Sequence, residues 1–404
     1  MANTHRPKSF DGLRVLVAGG GVAGLETLLA LRALAGDLVD LELLAAEPAF
    51  WYRPLAVAEP FDAGSAHHFE LAGIAEAAAA GFTLAQLASV DADANLARTS
   101  HAMEIGYDAL VIACGALPRP ALAGALTFRG PADTDAYRRL LVEAESGSIG
   151  SIAFVVPAPG IWPLPLYELA LLTATHLDRR HEQVELTLVT PEPAPLALFG
   201  AAASEAAREL LSSHGVALRT GCHATRYQAG RLELDPDATL LAERVVALPR
   251  LEGQRILGMP QDSDGFIATD LSGRVSGFTN VFAAGDITQF PIKQGGIAAQ
   301  QADAVAEVIA GLAGARVHPH RFQPVLRGLL LTGSAPRYLR NEPHGAEGTR
   351  STVAGDALWW PPSKIVGRYL APFLARYGGL EIEPPADRSG AIEVEIDLPV
   401  GGSP

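Results

Sequence analysis

Short, uninterrupted apolar runs recur along the chain, and most are followed by a turn and then a longer stretch with helical spacing. Val15–Ala18 is such a run, followed by helix-favouring residues from Leu25 to Ala35 and a second apolar run from Val39 to Ala46. Runs of this kind read as strands buried on both faces, and their alternation with helices predicts parallel sheets of an α/β protein. The same order returns later. Ile152–Val156 and Val184–Val189 read as strands, with helices over Leu164–Arg180 and Ala202–His214. A third passage places a strand over Asn280–Ala284 and a long helix over Ile297–Leu312. Between the first and second passages, residues 81–108 alternate like a β-meander. The meander leads into a strand over Ala109–Ala113, and Ala75–Ala80 reads as a short helix. No internal repeat appears beyond the two strand–helix–strand units.

The turn after the first run is Gly19-Gly20-Gly21-Val22-Ala23-Gly24, a G-x-G-x-x-G pattern between strand and helix. The first glycine permits the tight turn, the second lets backbone approach a pyrophosphate, and the third lets helix and strand pack closely. The anion then sits at a helix N-terminus, where free N–H groups and the helix dipole favour negative charge. The second strand ends at Glu47, 23 residues after Gly24. A carboxylate at about that offset binds the adenosine ribose of a dinucleotide. In a doubly wound sheet the end of the Ala113-Cys114-Gly115 strand returns to the same cofactor.

The corresponding turn of the second unit is different. Pro157, Pro159, Pro163 and Pro165 crowd Gly160, and Trp162 stands beside it. Proline lacks the N–H a phosphate needs, and a large side chain prevents close approach. This unit therefore has the topology of a nicotinamide domain without its phosphate cradle. Glu192 is placed either to meet a ribose or to lie on the surface. The third passage ends in Gly285-Asp286, where a carboxylate at a strand end can accept a hydroxyl hydrogen bond from a ribityl chain. The helix start at Gly295-Gly296 can aim its dipole at a flavin edge. The fold these pieces predict is α/β, with two nested doubly wound, Rossmann-like domains and a C-terminal cap. The first domain comprises residues 12–148 and 265–320, interrupted by 149–264, and 321–404 form the cap. Residues 1–12 read as a mobile tail.

Composition narrows the functions. The chain has 404 residues, 31 Lys and Arg against 45 Asp and Glu, and a net charge of −14. That balance argues against nucleic acid as a partner. Two cysteines cannot form a disulfide framework, which suits a reducing cytosol, and neither a signal peptide nor an 18-residue apolar span is evident. The cytoplasm is the expected location, with a peripheral place at the inner face of a membrane left open. His67-His68 and His318-Pro319-His320 lack the cysteine or glutamate company of a metal site, so no metal is expected.

Three further stretches carry chemistry. Phe50, Trp51, Tyr52 and Pro54 follow Glu47 as a stiff loop, suited either to walling in a flavin ring or bound partner or to closing the domain. Lys293 either lies near the flavin, where a cation would stabilise the anionic reduced form, or is an exposed loop lysine. Residues 321–340 read as paired strands. Beyond Pro362, Ile365, Val366, Tyr369, Leu370, Phe373 and Leu374 fall on one helical face, preceded by Trp359 and Trp360. Residues 357–378 thus form either an interfacial membrane helix or one that buries its stripe on the first domain or a dimer mate. A homo-oligomer is expected. A strand is expected over Ala391–Leu398 in the acidic tail.

VLVAGGGVAGLE, Glu47 with its aromatic-Arg-Pro segment, YDALVIACGALPRP and NVFAAGDITQFPIKQGGIAAQQAD stand in an order that resembles the two-dinucleotide-binding-domain flavoproteins. Within the FAD-dependent pyridine nucleotide-disulfide oxidoreductase superfamily, they resemble the branch of sulfide:quinone oxidoreductases and type II NADH dehydrogenases. The resemblance spans about residues 12–320. It implies FAD, with its pyrophosphate on Gly19, Gly21, Val22, Ala23 and Gly24 and its adenosine ribose on Glu47. It also implies flavin contacts at Arg53, Ala113, Cys114, Gly115, Gly285 and Asp286, and a helix start at Lys293, Gln294, Gly295 and Gly296 against the ring. Gln300 and Gln301 match the place where type II NADH dehydrogenases meet quinone, and Trp359 and Trp360 join them as candidates for the acceptor site.

The departures from that pattern bear on mechanism. Sulfide:quinone oxidoreductases work through a cysteine pair beside the flavin, and no cysteine stands near Trp162 or after Asp286 here. Cys114 takes a position usually held by threonine and reads as a small buried residue. A thiol relay needs a paired, activated thiolate. The expected function is therefore an FAD-dependent oxidoreductase that passes two electrons from a small-molecule donor to a quinone or other hydrophobic acceptor. One alternative is an NAD(P)H:acceptor oxidoreductase with a non-standard nicotinamide site. Another is a flavin-loaded redox sensor or assembly subunit with little turnover.

Overall fold

The computed structural model describes residues 12–158, 160–236, 238–343 and 349–378. Its helices are α1 (Val22–Ala35), α2 (Leu71–Ala77), α3 (Thr134–Glu145), α4 (Leu164–Asp178), α5 (Ala201–Ser213), α6 (Gly295–Leu312) and α7 (Leu370–Tyr377). The expected strand Ala391–Leu398 and the N-terminal tail lie outside the described residues.

The first parallel sheet has the order 281–283, 109–112, 13–18, 39–45, 81–84. Val17 sits between Leu43 on one side and Val111 on the other. All three are fully buried, which is why these strands read as unbroken apolar runs rather than as alternating ones. Alternation is nevertheless present in what each residue meets. Val15 and Val17 pack against α1 and α6, whereas Leu16 and Ala18 pack against the antiparallel meander 87–91, 96–99 and 104–106. Strand 281–283 reaches its place only after the chain has built a second unit.

That unit repeats the plan. Its parallel sheet has the order 126–127, 244–247, 151–155, 185–189, 216–219. Ile152, Phe154 and Leu188 face a core shared with α3, α4 and α5. Ala153, Val155 and Val189 face a second antiparallel meander through Ala224, Leu232 and Leu234. A two-stranded ribbon, 116–119 against 250–253, joins the units where the chain crosses between them. The α/β architecture with nested doubly wound units and a C-terminal cap is the one expected from the sequence.

Local structure departs from expectation in three places. The aromatic segment after Glu47 is not a loop: Ala49–Tyr52 pairs antiparallel with His67–Glu70, which sets Trp51 against His68 with ring centroids 5.0 Å apart and planes tilted by 32°. A 3₁₀ turn, Arg53–Phe61, follows with Pro54 in its first turn, a position where the missing N–H costs nothing. The short helix predicted at Ala75–Ala80 begins earlier, at Leu71. In the cap, the paired strands 326–330 and 337–343 gain a third partner, 349–354.

The predicted stripe over 365–374 is helical only from Leu370. A Cβ at Gly367 would lie 2.3 Å from Glu26 Oε2, so the backbone passes close against Glu26 in an irregular, bent course before α7. The Glu26 carboxylate then accepts hydrogen bonds from the Tyr369 and Leu370 N–H groups at 2.7 and 2.8 Å, satisfying donors at the start of α7. Leu370, Ala371 and Leu374 bury their side chains toward α1. Among the described residues no helix is long and apolar enough to cross a membrane.

Candidate functional site

The glycine turn is locked by backbone. Gly19 has φ +139° and donates from its N–H to the Leu44 carbonyl at 2.7 Å. A Cβ there would lie 2.1 Å from the Ala113 carbonyl oxygen, and one on Gly24 would lie 1.8 Å from the Gly19 carbonyl oxygen. Strand end, turn and helix therefore meet where no side chain fits. Gly21, the N-cap of α1, is the opposite case: a Cβ there would meet nothing within 4 Å. It faces a cavity of about 520 Å³ that runs from the turn past Glu47 to Gly285 and Asp286. A backbone concavity at a helix N-terminus, open on one side and tight behind, is the shape a pyrophosphate requires.

At the far end, Gly285 has φ +79° and opens a 3₁₀ turn that presents Asp286. Burial pushes the Asp286 carboxyl up, and the charges of Lys293 and Arg53 pull it back. Lys293 shows the converse. Burial brings its ammonium down to about 8 against the pull of Asp286 and Asp262. Its Nζ donates to the Thr288 carbonyl and lies 3.9 Å from the centre of the Phe266 ring. Gln294 caps α6, its Oε1 accepting from the Ile297 N–H at 2.8 Å. Gly295 is pressed against Ile365, whose side chain would lie 3.1 Å from a Cβ at that position.

The chain matches the model of the pyridine nucleotide-disulphide oxidoreductases over residues 13–302. The chain belongs to this family. Its members carry FAD, and this chain is an FAD-dependent oxidoreductase. Comparison with curated proteins by sequence returns no match. In fold the flavoprotein is similar to the sulfide:quinone oxidoreductase of the hyperthermophilic bacterium Aquifex aeolicus. That likeness has a TM-score of 0.74 and 18% identity, and covers 85% of this chain and 87% of that one. It is also similar to the ferredoxin reductase for the CYP199A2 system of Rhodopseudomonas palustris, with TM-score 0.61, 19% identity and coverage of 82% and 83%. Putidaredoxin reductase, solved in covalent complex with putidaredoxin, gives TM-score 0.60 and 19% identity over 82% of each chain.

The cavity brings together most of the residues expected at the cofactor. Gly19, Gly21, Val22, Ala23, Glu47, Arg53, Ala113, Cys114, Gly115, Gly285, Asp286 and Gly295 line it. Gly24 lies directly behind Gly19, and Gly296 lies against the Gln294 side chain. Lys293 and Gln294 instead line a second cavity of about 260 Å³ that shares Arg53, Asp286, Gly295 and Ile365 with the first. The acceptor candidates stand elsewhere. Gln300 exchanges hydrogen bonds with the backbone of Val325, and Gln301 accepts from the Gly285 N–H at 2.7 Å. Both amides thereby fix the backbone around the site. Trp359 is 3% exposed, donates to the Ser363 carbonyl and stands edge-on to Tyr338; neither it nor Trp360 lines either cavity.

Neither thiol is placed for redox relay. Burial pushes Cys114 up to about 12, and its Sγ donates to the Ala18 carbonyl. Cys222 packs beside the second meander. In the second unit Trp162 stands edge-on to Phe199, 5.5 Å between ring centres, at the mouth of the turn. Glu192 accepts from Tyr167 Oη and Thr190 Oγ1 through Oε2, both at 2.9 Å, and its Oε1 is buried without a partner among the described residues, so its carboxylate is held inward rather than lying on the surface.

No sequence pattern marks Gln254 or Ile365 as lining residues, nor the buried pair Glu168–Lys364. Lys364 Nζ meets both Glu168 oxygens at 2.6 and 2.7 Å and the Pro54 carbonyl at 3.0 Å. Their side chains are 1% and 6% exposed. Partners 196 residues apart leave no local pattern.

Proposed function

We propose that FAD lies extended in the larger cavity, and that the protein passes two electrons from a small-molecule donor to a quinone or other hydrophobic acceptor. The single observation behind this reading is the cavity that links a tight glycine turn at one end to Asp286 and the start of α6 at the other. Bound FAD supplies the electron chemistry, and the chain supplies position, electrostatics and exclusion of water. Gly21, Val22 and Ala23 offer backbone N–H groups to the pyrophosphate, and Glu47 accepts from the ribose hydroxyls. Asp286 accepts from the ribityl chain. The N-terminus of α6 favours negative charge on the nearby ring edge, and Lys293 adds a formal charge across Asp286.

Direct exchange between substrate and flavin fits this chain better than a thiol relay. Cys114 lines the cavity with its Sγ hydrogen-bonded to the Ala18 carbonyl and no second thiol beside it, and Cys222 belongs to the other unit. The crowded turn at Trp162 offers a nicotinamide cofactor no phosphate seat. The purified protein should be yellow, and anaerobic titration with NADH, NADPH, sulfide and a quinol identifies the class of donor. A colourless protein that FAD cannot reconstitute overturns the reading. Rapid bleaching by NADH replaces it with the NAD(P)H:acceptor alternative.

A further inference from the structure

The second cavity is positioned where a reaction partner would meet the flavin. It opens between the two units and the cap, and shares Asp286, Gly295 and Ile365 with the cofactor cavity. Its wall is largely apolar, with Phe128, Trp162, Leu251 and Leu329 among its residues. Its charges are not balanced. Lys364 is neutralised by Glu168, and Arg129 is held by both oxygens of Asp133. That leaves Arg53, Lys293 and Arg327 with Asp286 as the remaining carboxylate of the lining; outside it, Asp262 pulls on Lys293 and Glu342 on Arg327.

Arg327 is the most informative of these. It lies on strand 326–330, and among the described residues its guanidinium has neither a hydrogen bond nor an ion pair. Burial and the neighbouring Arg340 bring it down to about 10, with Glu342 opposing. Glu342 is itself committed to Arg340. An arginine left without a partner in a confined apolar cavity is costly unless an anion completes it. The surplus is local: the chain as a whole carries −14.

From this geometry we infer that the second cavity binds an amphipathic organic anion, with a carboxylate or sulfonate head on Arg327 and a flat apolar body against Trp162 and Phe128. The inference rests on the flavin reading above and names the chemical class of one of its two reaction partners. A neutral quinone would leave Arg327 uncompensated, and a bare inorganic anion would leave the apolar wall wet. An anion with an apolar body satisfies both.

The test uses the full-length, FAD-loaded protein and two probes of nearly the same shape, 2-naphthoate and the neutral 2-naphthol. Binding is followed through the flavin absorbance, which a ligand beside the ring perturbs. Naphthoate is expected to bind saturably and at least ~10-fold more tightly than naphthol, the size of a charge-assisted hydrogen bond. Arg327→Met should remove most of that preference without changing naphthol affinity, and Arg327→Lys should retain part of it. Equal affinity for the two probes in the unsubstituted protein, or no saturable response to naphthoate, overturns the inference and does not depend on any variant folding. A preference that survives unchanged in a folded, yellow Arg327→Met protein also overturns it. A yellow, reducible protein with no preference leaves the flavin reading standing, whereas a protein that cannot take up FAD removes both.

Discussion

The two parallel-sheet units are built to one plan and differ most at one turn. In each, five parallel strands carry helices on one face and a three-stranded meander on the other. In each, a helix follows the central strand, 13–18 or 151–155, and carries a buried glutamate as its fifth residue, Glu26 on α1 and Glu168 on α4. Both glutamates hold the same C-terminal segment: Glu26 through the Tyr369 and Leu370 N–H groups, Glu168 through Lys364. The turns ahead of those helices diverge. In the first unit Gly19, Gly21 and Gly24 bring three backbone segments together and leave an open concavity. In the second, Pro163 and Pro165 remove donors and Trp162 fills the mouth. A fold can therefore keep a binding unit's sheet, helices and anchoring contacts while its ligand seat is replaced by packing. On the function proposed above, the second unit holds the cap and walls the cavity beside the flavin.

The largest effect should come from adding one methyl group to the first turn, set against the same addition to the second. Gly24→Ala forces a Cβ to within 1.8 Å of a carbonyl oxygen in the first turn. Backbone must move, and FAD retention should be lost, read as flavin absorbance per protein after purification and after reconstitution. Gly160→Ala places its Cβ 3.7 Å from the nearest atom, the Pro291 carbonyl oxygen, at a φ of +82°. The expected cost is about 1 kcal/mol of backbone strain, with retention unchanged. Equal loss of flavin in both variants would erase the distinction between the turns.

Next is the anchor of the second unit. Lys364→Met leaves Glu168 buried without its cation and should cost about 3–5 kcal/mol, measured by urea unfolding. Replacing Glu168 and Lys364 together by Met should restore most of that stability, because the unpaired charge is gone. Burial already pushes the Glu168 carboxyl up despite Lys364, which is why the lone carboxylate should be so poorly tolerated.

These anchors also show what the sequence could and could not reveal. Strands such as Val15–Ala18 and Ile152–Val156 were legible because burial on both faces leaves continuous apolar runs. The glycine turn and Gly285-Asp286 were legible because close backbone approach permits few residue types. The hairpin at Trp51 was not, since its partner strand is the polar His67-His68-Phe69-Glu70, whose pairing depends on register rather than hydrophobicity. Helix α3, Thr134–Glu145, was also not recognised, although Tyr137, Leu140, Leu141 and Ala144 form its buried face. Gln300 and Gln301 carry a family position, but their hydrogen-bond partners, Val325 and Gly285, are set by tertiary folding alone. The C-terminal stripe was legible as apolar; that it becomes helical only at Leu370 reflects the close passage against Glu26, near the other end of the chain.

A smaller effect separates the carboxylates at the two units' ligand-facing edges. Asp286→Ala should weaken FAD binding about tenfold, the loss of one charge-assisted hydrogen bond, whereas Glu192→Ala should leave it unchanged. Glu192 is tied to Tyr167 and Thr190, so its loss should appear in the melting temperature instead. Weaker FAD binding in Glu192→Ala than in Asp286→Ala would reverse the roles assigned to the two units.

The smallest effect sharpens the contrast between the two glutamates. Glu168 is met by a lysine, but Glu26 is met by another acid, Asp303, which burial and the Glu26 charge push well above its ordinary value. Burial raises the Glu26 carboxyl as well, and one proton held between the two acids would relieve their repulsion; Glu307 adds to that repulsion, and Arg368, 3.6 Å from Glu307, partly offsets it. The sign of the pH dependence follows. As pH rises past about 4, the unfolded chain releases the Asp303 proton and the folded chain does not, so stability falls across that window until the folded value is reached. Asp303→Asn can still donate to Glu26 and has no proton to release. Its melting temperature should match the parent's near pH ~4.5 and exceed it near pH ~8. Parallel melting curves across that range would mean that Asp303 ionises in the fold, and that the first unit's anchor is a repelling pair rather than a shared proton.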